Sequence, residues 1–542
     1  MFCMTSLFLL LQGNTKEGLQ RGIRLLLLIY TTLVCNIHLI MCCVFLMCIL
    51  RSRYQLLAFM KVAIFGGAGF VGMHVAEALS DQFDEVLCID IAPSLFNTDK
   101  ENIRFIRGSI TDGPMASMIC KEAEVLVIIA SAGMSGPNMM DKDLCFAVNV
   151  GGIHSILDAC QLEGSVVQSI IYTSSYNVCF HGEPILQGNE ENTPPLSQNS
   201  DIHTDFYSQT KTIAEAKILA ANWDQIKRNA KGENKKGTTK PSRQGRNPIT
   251  TLSLRPAAIY GEGECRHLPR IMRLMDQGLY TFAFSKDTTH NKALTDWVHI
   301  ENLTQAYVKS VEMSLSNPEV VGGEAFFISD GTPVDSFEFL TPIAVARHAP
   351  TPSLRIPFWI MMIFGFISEL VFMLDLPFLL DPFEDMLLTR AEVMKVGVSH
   401  FFSIDKAREL LGYEPTVTSQ EGSERLAKFY SLEKGDIPIH YYRFPALVWV
   451  VPILVGMGLI SLMTFFPTSH AGSVCLDFFS PFFSYFAISM ITYAAWLTHV
   501  GEASYAFYLA RYKHKIAFQE SIWWFITAFF IGFPSLKFLK TP

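Results

Sequence analysis

The sequence predicts an α/β protein with a doubly wound parallel sheet, followed by an all-α apolar region at the C-terminus. From Lys61 onward, short runs rich in Val and Ile alternate with helical stretches, as in repeated βαβ units around a buried parallel sheet. The runs are KVAIF, EVLCID, VLVIIA and SIIYTS, and the intervening stretches include HVAEAL and IHSILDAC. Half of the 542 residues are hydrophobic and only 17% are charged, against about 25% in soluble proteins, which indicates contact with a membrane.

Charge and cysteine usage argue against several classes of function. The formal net charge of −8 gives no electrostatic basis for binding nucleic acid, so no nucleic-acid partner is predicted. The twelve cysteines include no C-x-x-C pair and no Cys/His spacing typical of zinc. We therefore predict neither a metal site nor a disulfide framework.

The motif FGGAGFVG at 65–72 is the strongest functional signal in the chain. Gly66, Gly69 and Gly72 follow the spacing G-x-x-G-x-x-G between the strand KVAIF and the helix MHVAEALS. In such a motif the first glycine permits a tight turn, the second lets the backbone approach a pyrophosphate, and the third lets helix and strand pack closely. Amide groups at the helix N-terminus then bind the phosphates. The motif predicts a Rossmann-type sheet that binds a dinucleotide.

Asp90 predicts which dinucleotide is bound. It ends the strand EVLCID, which follows the glycine motif. A carboxylate at this place hydrogen-bonds the ribose hydroxyls of NAD and repels the additional phosphate of NADP. The nine residues after Asp90 contain no Lys or Arg that could bind that phosphate. The sequence therefore favours NAD over NADP.

Tyr207 and Lys211 form a Y-x-x-x-K motif, and residues four apart share one face of a helix. We expect the Lys211 ammonium to lower the pKa of the phenol from its ordinary value of about 10. Tyr207 could then act as general base for an alcohol proton while hydride passes to a nicotinamide. Lys211 could also hold the nicotinamide ribose. Alone, this motif is common by chance.

The order of the motifs strengthens this interpretation, because the strand in SIIYTSSYNV ends in Ser174 and Ser175, upstream of the Tyr/Lys helix. We predict that Ser175, rather than Ser174, hydrogen-bonds the substrate oxygen. Asn149, in AVNVGG on a predicted helix, is a candidate to support a proton-relay water near the lysine, with a purely structural role as the open alternative. The predicted catalytic residues are thus Tyr207, Lys211, Ser175 and Asn149.

The chain divides into three parts after its first sixty residues. Residues 61–255 are predicted to form the dinucleotide-binding core, 256–440 a smaller substrate-binding part, and 441–542 a transmembrane helical region. A polar insertion at 226–247 contains eight Lys or Arg residues without apolar periodicity. We interpret it as a solvated surface loop, with binding to acidic lipid headgroups as the alternative.

The segment 355–381 is very apolar, but Glu369, Asp375 and Pro377 interrupt it. A helix lying on or shallowly in the membrane surface fits this pattern better than a spanning helix, and a buried core helix is the alternative. Within 1–60, an uncharged run at 25–50 is long enough to span a bilayer. Two interpretations of it stay open: a transmembrane segment, or an over-extended start upstream of the first strand.

The C-terminal region holds three further apolar segments of spanning length, at about 445–466, 482–509 and 518–539. Three basic residues lie between the second and the third, which places that loop in the cytosol by the positive-inside rule. Tracing the chain back through the first segment places the catalytic part in the cytosol as well. The sequence thus predicts a multi-pass membrane protein with a cytosolic catalytic domain.

At these motifs the sequence resembles the extended short-chain dehydrogenases, and more closely the 3β-hydroxysteroid dehydrogenase/isomerase family in its 42E branch. The resemblance covers roughly 61–430 and includes IIASAGMSG, LRPAAIYGEGE, DWVHIENLTQA and the stretch 388–415. It implies a Rossmann fold, NAD, and the roles given above for Ser175, Tyr207 and Lys211. It also implies an enzyme attached to the endoplasmic reticulum and facing the cytosol.

The C-terminal stretch WLTHVGEASYAFYLARYKHK resembles a small, uncharacterised eukaryotic transmembrane protein family. Within it, His499 and Glu502 lie three residues apart on one candidate helix. Ionisable groups at membrane depth are costly and often functional. The alternative for this pair is that the two side chains serve as helix-packing contacts.

Three functions are compatible with the sequence. The leading one is NAD-dependent oxidation of a secondary alcohol on a steroid or sterol. The second is a sterol-4-carboxylate 3-dehydrogenase (decarboxylating), which requires a cation near the carboxylate that the sequence does not locate. The third is a non-catalytic NAD-binding membrane scaffold or sensor, against which the intact pair of Tyr207 and Lys211 argues. The sequence indicates no oligomeric state and no residue for an isomerase step.

Overall fold

The computed structural model describes residues 60–93, 98–133, 141–199, 201–222, 248–374, 388–432, 447–516 and 518–540. The predictions for the N-terminal apolar run at 25–50 and the basic insertion at 226–247 lie outside the described residues.

The strands are, in chain order, β1 (Lys61–Phe65), β2 (Glu85–Asp90), β3 (Ile103–Arg107), β4 (Val125–Ile128), β5 (Ser169–Thr173), β6 (Ile185–Gly188), β7 (Thr250–Pro256), β8 (Ala258–Tyr260), β9 (Phe282–Ala283), β10 (Leu294–Thr295), β11 (Trp297–His299), β12 (Ala325–Ile328), β13 (Val334–Asp335), β14 (Leu354–Arg355) and β15 (His400–Phe402). The helices are α1 (Phe70–Ser80), α2 (Gly113–Cys120), α3 (Lys142–Phe146), α4 (Gly152–Ala159), α5 (Phe206–Ala220), α6 (His267–Asp276), α7 (Ile300–Ser316), α8 (Pro318–Val321), α9 (Ser336–Ala346), α10 (Phe358–Leu374), α11 (Arg390–Gly397), α12 (Asp405–Leu411), α13 (Ser419–Phe429), α14 (Leu447–Phe465), α15 (His470–Phe479), α16 (Tyr485–Tyr508), α17 (Phe518–Ile531) and α18 (Phe533–Lys540).

The central sheet has seven parallel strands in the order β12–β7–β5–β4–β1–β2–β3. The strand order switches direction between β1 and β4, and ligands of open α/β sheets bind at such a switch point. This is the Rossmann-type doubly wound sheet that the sequence predicts, so this part of the fold prediction is confirmed. β12 joins the sheet from the part assigned to substrate binding, and the sheet therefore extends beyond the predicted core at 61–255.

Helices cover both faces of this sheet, which explains why its central strands are apolar at successive positions. Val62 of β1 packs in a buried cluster with Leu303 of α7. The next residue, Ala63, packs in a second cluster with Ile153 of α4. Because alternate residues of a strand face opposite sides, these helices lie on opposite faces of the sheet. The carboxyl end of β1 is thus fixed between two packed layers.

A second, smaller sheet with the order β13–β10–β15–β6 lies mostly within the part predicted to bind substrate. An apolar cluster accompanies it, to which Met272 of α6, Phe339 of α9 and Met361 of α10 contribute. The predicted membrane-surface segment at 355–381 contains α10, while residues 375–387 lie outside the described residues.

The C-terminal region is helical, and α14, α16 and α17 overlap the three predicted segments. Among the described residues, no single helix combines the length and apolarity needed to cross a membrane. One bent pair, Pro452–Phe465 with His470–Phe479, meets the requirement only when both helices are taken together, with an angle of 102° between them. The transmembrane prediction therefore stays a prediction.

The third predicted segment, 518–539, consists of two helices that are separated at Gly532. The φ of Gly532 is +74°, in the left-handed region, so α17 ends just before it and α18 begins just after it. His499 Nδ1 is hydrogen-bonded to the carbonyl oxygen of Phe529 at 2.7 Å. A Cβ built on Gly532 would lie 2.6 Å from Glu502 Oε2. These contacts favour the helix-packing interpretation of His499 and Glu502.

Candidate active site

The glycine motif forms a tight turn between β1 and α1 at the switch point of the sheet. Gly66 has a φ of +89°, which an L side chain rarely adopts. A Cβ on Gly72 would lie only 2.2 Å from the carbonyl oxygen of Gly66, so the helix packs directly on the turn. Gly69 is the N-cap of α1, without a side-chain cap, and the nearest atom to a Cβ there is 3.6 Å away. The backbone N–H groups in the first turn of α1 are therefore not capped by a side chain, and this is the arrangement that phosphate binding requires.

We expect the substitution Gly72→Ala to displace this turn, because the added Cβ meets backbone atoms that cannot rotate away. Overpacking of this kind costs about 1–3 kcal/mol, and the shifted turn should also weaken dinucleotide binding. Thermal unfolding and an NAD titration of the full-length protein measure the two effects. Gly113→Ala is the matched control, because no atom lies within 4 Å of a Cβ there. If Gly72→Ala and Gly113→Ala had the same unfolding temperature and the same NAD affinity, the close packing of α1 on the glycine turn would be contradicted.

Asp90 lies at the carboxyl end of β2, beside the glycine turn. Its Oδ2 accepts a hydrogen bond from the backbone N–H of Ala68 at 3.2 Å, and its Oδ1 accepts one from Ala92 at 3.1 Å. The carboxylate thus braces the turn and is half-buried at the place where this fold binds a ribose. The binding of a ribose by Asp90 stays a prediction.

Asp205 is the N-cap of α5, and its carboxylate accepts hydrogen bonds from the backbone N–H of Ser208 at 2.7 Å and from the Ser208 hydroxyl at 2.8 Å. A side-chain acceptor at the N-cap fixes where a helix begins. Tyr207 therefore lies in the first turn of α5 and Lys211 one turn later. The sequence reasoning did not single out Asp205, although an Asp just before a helical pattern is a recognised start signal.

Lys211 is buried against the end of β5. Its Nζ donates a hydrogen bond to the carbonyl oxygen of Thr173 at 2.8 Å. The same nitrogen lies 4.9 Å from the ring centroid of Tyr172 and 5.9 Å from that of Tyr207. The structure therefore brings the predicted Tyr/Lys pair together on one face of α5, next to the strand that carries the two serines.

The electrostatics of the pair differ from the sequence prediction. Burial, and then the negative charge of Asp205, raise the pKa of Tyr207 above its ordinary value, while Arg266 acts in the opposite direction. Burial lowers the pKa of Lys211 to about 7. The prediction that Lys211 holds the phenol pKa below 10 is therefore wrong for the protein alone, because desolvation of the phenol outweighs its neighbours.

The two serines after β5 have different surroundings. Ser175 Oγ accepts hydrogen bonds from Asn177, from its backbone N–H at 3.3 Å and from its side-chain Nδ2 at 2.9 Å. Its own hydroxyl proton is therefore available for another acceptor. The hydroxyl of Ser174 is buried and has no hydrogen-bond partner among the described residues. The preference for Ser175 as the donor to substrate stays a prediction.

Asn149 lies in a π-helical turn, Ala147–Gly151, between α3 and α4. Its Oδ1 accepts from the N–H of Ala132 at 2.9 Å, and its Nδ2 donates to the carbonyl oxygen of Ala132 at 2.9 Å and to Thr210 Oγ1 at 3.0 Å. These bonds tie the chain after β4 to α5. They support the structural alternative for Asn149, because they occupy its amide, rather than the predicted role beside a relay water.

Lys395 of α11 is a further residue at the site that the sequence reasoning missed. Its Nζ lies 2.6 Å from Asp205 Oδ2 and 6.0 Å from the ring centroid of Tyr207. Both side chains of the pair are largely buried, with 15% and 7% exposed. No local signal in the sequence could have found it, because Lys395 reaches the site only through the packing of α11 on the substrate side.

The glycine turn, the carboxylate at the end of β2 and the Tyr/Lys pair together define an oxidoreductase of the short-chain dehydrogenase/reductase class. Residues 63–353 match the 3-beta hydroxysteroid dehydrogenase/isomerase family, and the chain belongs to that family. Residues 448–541 match a second family, described as Transmembrane protein 254. The resemblances found in the sequence are thus confirmed for both parts.

Among its relatives is short-chain dehydrogenase/reductase family 42E member 1 of Macaca fascicularis, 38% identical over 357 residues that cover 65% of this chain and 83% of that protein. A sterol-4-alpha-carboxylate 3-dehydrogenase (decarboxylating) of Mus musculus is 27% identical over 376 residues, covering 69% of this chain and 92% of that protein. The solved structure of the epimerase Mth375 from Methanothermobacter thermautotrophicus is similar in fold, with a TM-score of 0.50, 20% identity, and coverage of 70% of this chain and 94% of that one.

The family uses NAD, and the residues of this chain fit that cofactor. The uncapped amides after Gly69 are suited to phosphates, the carboxylate of Asp90 to a ribose, and the buried ammonium of Lys211 has further donors beyond its bond to Thr173. Among the described ranges, no group of three or more His, Cys, Asp or Glu residues is arranged to hold a metal ion.

Proposed function

We propose that this protein oxidises a secondary alcohol of a sterol or steroid, with NAD as the hydride acceptor. The observation that carries the proposal is the position of the Tyr207 phenol and the buried Lys211 ammonium on one face of α5, at the sheet edge where the glycine turn lies. None of the hydrogen bonds among the described residues occupies the Tyr207 hydroxyl. We propose that this hydroxyl contacts the substrate.

Each of the proposed catalytic groups has a distinct task. Tyr207 accepts the proton of the alcohol, and Ser175 donates a hydrogen bond to the same oxygen. Lys211 holds the cofactor ribose with the donors that Thr173 does not use. Bound NAD⁺ supplies the hydride acceptor and a positive charge close to the site. Together with Arg266, that charge would oppose the burial that raises the pKa of Tyr207 in the protein alone.

A second candidate is oxidation of the 3-hydroxyl of a 4-carboxysterol, with decarboxylation of the β-keto acid that results. It requires a cation that pairs with the substrate carboxylate. Arg266, whose charge acts on the pKa of Tyr207, is the candidate for that cation, whereas Lys395, 6.0 Å from the Tyr207 ring, is already paired with Asp205. The mouse relative that carries this activity in its name is 27% identical to the chain.

We further propose that the enzyme is attached to the endoplasmic reticulum membrane with its catalytic part in the cytosol. The match of residues 448–541 to a transmembrane protein family supports membrane attachment. The positive-inside pattern of the basic residues between α16 and α17 supports the orientation.

The decisive experiment measures hydride transfer by the full-length protein in lipid vesicles, with NAD or NADP and a panel of sterols. The panel contains 3β-hydroxysteroids, 4-carboxysterols and water-soluble secondary alcohols. We expect NADH formation with at least one sterol class and a strong preference for NAD. If wild type turned over only carboxysterols, and if Arg266→Met lowered that turnover, oxidation of a 4-carboxysterol would be established as the function. Tight NAD binding without turnover of any alcohol would refute both and favour a scaffold or sensor.

A further inference from the structure

Lys395 connects the substrate-binding part of the chain to the start of α5. It lies in the last turn of α11, whereas its partner Asp205 is the N-cap of α5. Lys395 Nζ and Asp205 Oδ2 are 2.6 Å apart, and the two side chains are only 15% and 7% exposed. Because charges that are shielded from solvent interact more strongly than exposed ones, this ion pair differs from an ordinary surface pair.

The other carboxylate oxygen of Asp205 holds the first turn of α5, which carries Tyr207. Asp205 Oδ1 accepts hydrogen bonds from the backbone N–H and from the hydroxyl of Ser208. Burial raises the pKa of Asp205, but the ammonium of Lys395 and the bonds from Ser208 outweigh burial and leave that pKa below its ordinary value. Asp205 is thus an anion at neutral pH. Its charge, after burial, raises the pKa of Tyr207.

Helix α11 is also held in place by contacts that do not involve Lys395. Glu392 pairs with Arg270 of α6 at 2.7 Å. The carbonyl oxygen of Gly397, at the end of α11, accepts a hydrogen bond from the backbone N–H of Lys286 at 2.7 Å. Replacing Lys395 should therefore remove one charge while α11 keeps its position.

The strand that follows α11 contacts the turn that carries Ser175. The ring of His400, in β15, stacks on that of Tyr176, with 4.8 Å between the ring centroids. Tyr176 directly follows Ser175 in the chain. One short stretch, 395–400, therefore contacts both of the places to which the proposed function assigns the alcohol oxygen: the start of α5 and the turn after β5.

We propose that Lys395 is a positioning residue for alcohol oxidation: it fixes the start of α5 against the substrate-binding part and cancels the charge of Asp205 beside the Tyr207 hydroxyl. When the phenol loses its proton, a second anion forms next to Asp205. That is costly in a buried site unless a cation neutralises the carboxylate. The electrostatic half of this proposal rests on the proposed function, whereas the fixing of α5 does not.

The charged and titratable groups around the Tyr207 phenol come from several elements. They are Asp205 and Lys211 of α5 and its cap, Tyr172 of β5, Tyr176 after β5, Cys145 of α3, Arg266 before α6 and Lys395 of α11. Asp205 can lose its charge and still cap α5, because Asn is as good an N-cap residue as Asp. The substitutions Asp205→Asn and Lys395→Met therefore separate the effect of charge from that of the cap.

The dependence of turnover on pH tests the electrostatic half. With full-length protein in lipid vesicles and saturating NAD, kcat/KM for the best sterol should rise with pH as Tyr207 loses its proton. Lys395→Met leaves the Asp205 charge uncompensated, so we expect the rise to move upward by about 1–2 pH units. Lys395→Arg keeps the charge and should stay close to wild type. Adding Asp205→Asn to Lys395→Met should return the rise to its wild-type position or below it.

Lys286→Met is the matched control for the pH profile. Lys286 also joins the substrate-binding part to the dinucleotide-binding part, through Glu183 at 2.8 Å, but these side chains are 35% and 60% exposed. Its profile should match that of wild type. If Lys395→Met lost the same fraction of turnover at every pH, or if the added Asp205→Asn left the rise displaced, the electrostatic role would be overturned.

Thermal unfolding of the full-length protein in detergent tests the fixing of α5 without any turnover. Lys395→Met should lower the unfolding temperature more than Lys286→Met does. Adding Asp205→Asn should restore part of the loss, because no unpaired buried charge remains. If Lys395→Met unfolded at the wild-type temperature, the ion pair would not fix α5. Absence of sterol turnover in wild type would refute the proposed function but leave the unfolding result valid.

Discussion

Replacing Tyr207 by Phe is expected to abolish measurable hydride transfer while NAD still binds. The substitution removes only the phenol hydroxyl, which takes no hydrogen bond among the described residues, so the packing of α5 is kept. Loss of a positioned general base typically lowers the rate by about 10²–10⁴-fold. Turnover of the best sterol from the panel and NAD affinity by titration, both on full-length protein in vesicles, separate chemistry from cofactor binding.

Tyr172→Phe is the matched control for that experiment. The Tyr172 hydroxyl is buried without a hydrogen-bond partner among the described residues, and its ring, which lies 4.9 Å from Lys211 Nζ, is kept in Phe. Removing an unpaired buried hydroxyl should cost little, so turnover should change by a small factor. Lys211→Met should lower both turnover and NAD affinity, because its ammonium is assigned to the ribose. If Tyr207→Phe retained wild-type turnover, another group would have to be the base.

The parts of the site that could be predicted from sequence are those set by local spacing. One short stretch, from the end of β1 into the first turn of α1, contains Gly66, Gly69 and Gly72. One face of α5 carries both Tyr207 and Lys211. Such patterns determine geometry before any tertiary contact forms. The Rossmann-type sheet follows in the same way from apolar runs that alternate with helices.

The parts that could not be predicted depend on contacts between distant segments. Lys395 reaches Asp205 across 190 positions of the chain, and Glu215 pairs with Arg255 across 40. The pKa of Tyr207 was misjudged because spacing shows a neighbouring lysine but not the burial that outweighs it. An apolar segment interrupted by charged residues and a proline predicts a membrane-surface helix at 355–381, but only the packing of α10 on α11 shows which face stays exposed.

The pair of Glu215 and Arg255 should dominate the stability of α5. Glu215 lies on α5 and Arg255 on β7, and their side chains are 1% and 3% exposed. Arg255 Nη2 and Nε donate to the Glu215 carboxylate at 2.7 and 3.0 Å, and the Ser253 hydroxyl donates to it at 3.0 Å. We expect Glu215→Gln to lower the free energy of unfolding by about 3–5 kcal/mol, because the guanidinium stays buried without a counter-charge. Chemical unfolding of the full-length protein in detergent measures the change.

Two variants show whether burial of the unpaired charge is the cause. Asp81→Asn removes the partner of Lys100 in a pair whose side chains are 69% and 45% exposed, and such surface pairs contribute about 0–1 kcal/mol. Glu215→Gln combined with Arg255→Met removes both charges and should recover part of the lost stability, since no isolated ion remains. The negative charge of Glu215 also raises the pKa of Lys211. In folded Glu215→Gln the pKa of Lys211 should therefore be lower, so that less of Lys211 is protonated at neutral pH. We expect this variant to bind NAD more weakly as the pH rises. A double variant no more stable than Glu215→Gln would show that the carboxylate acts through packing instead of charge.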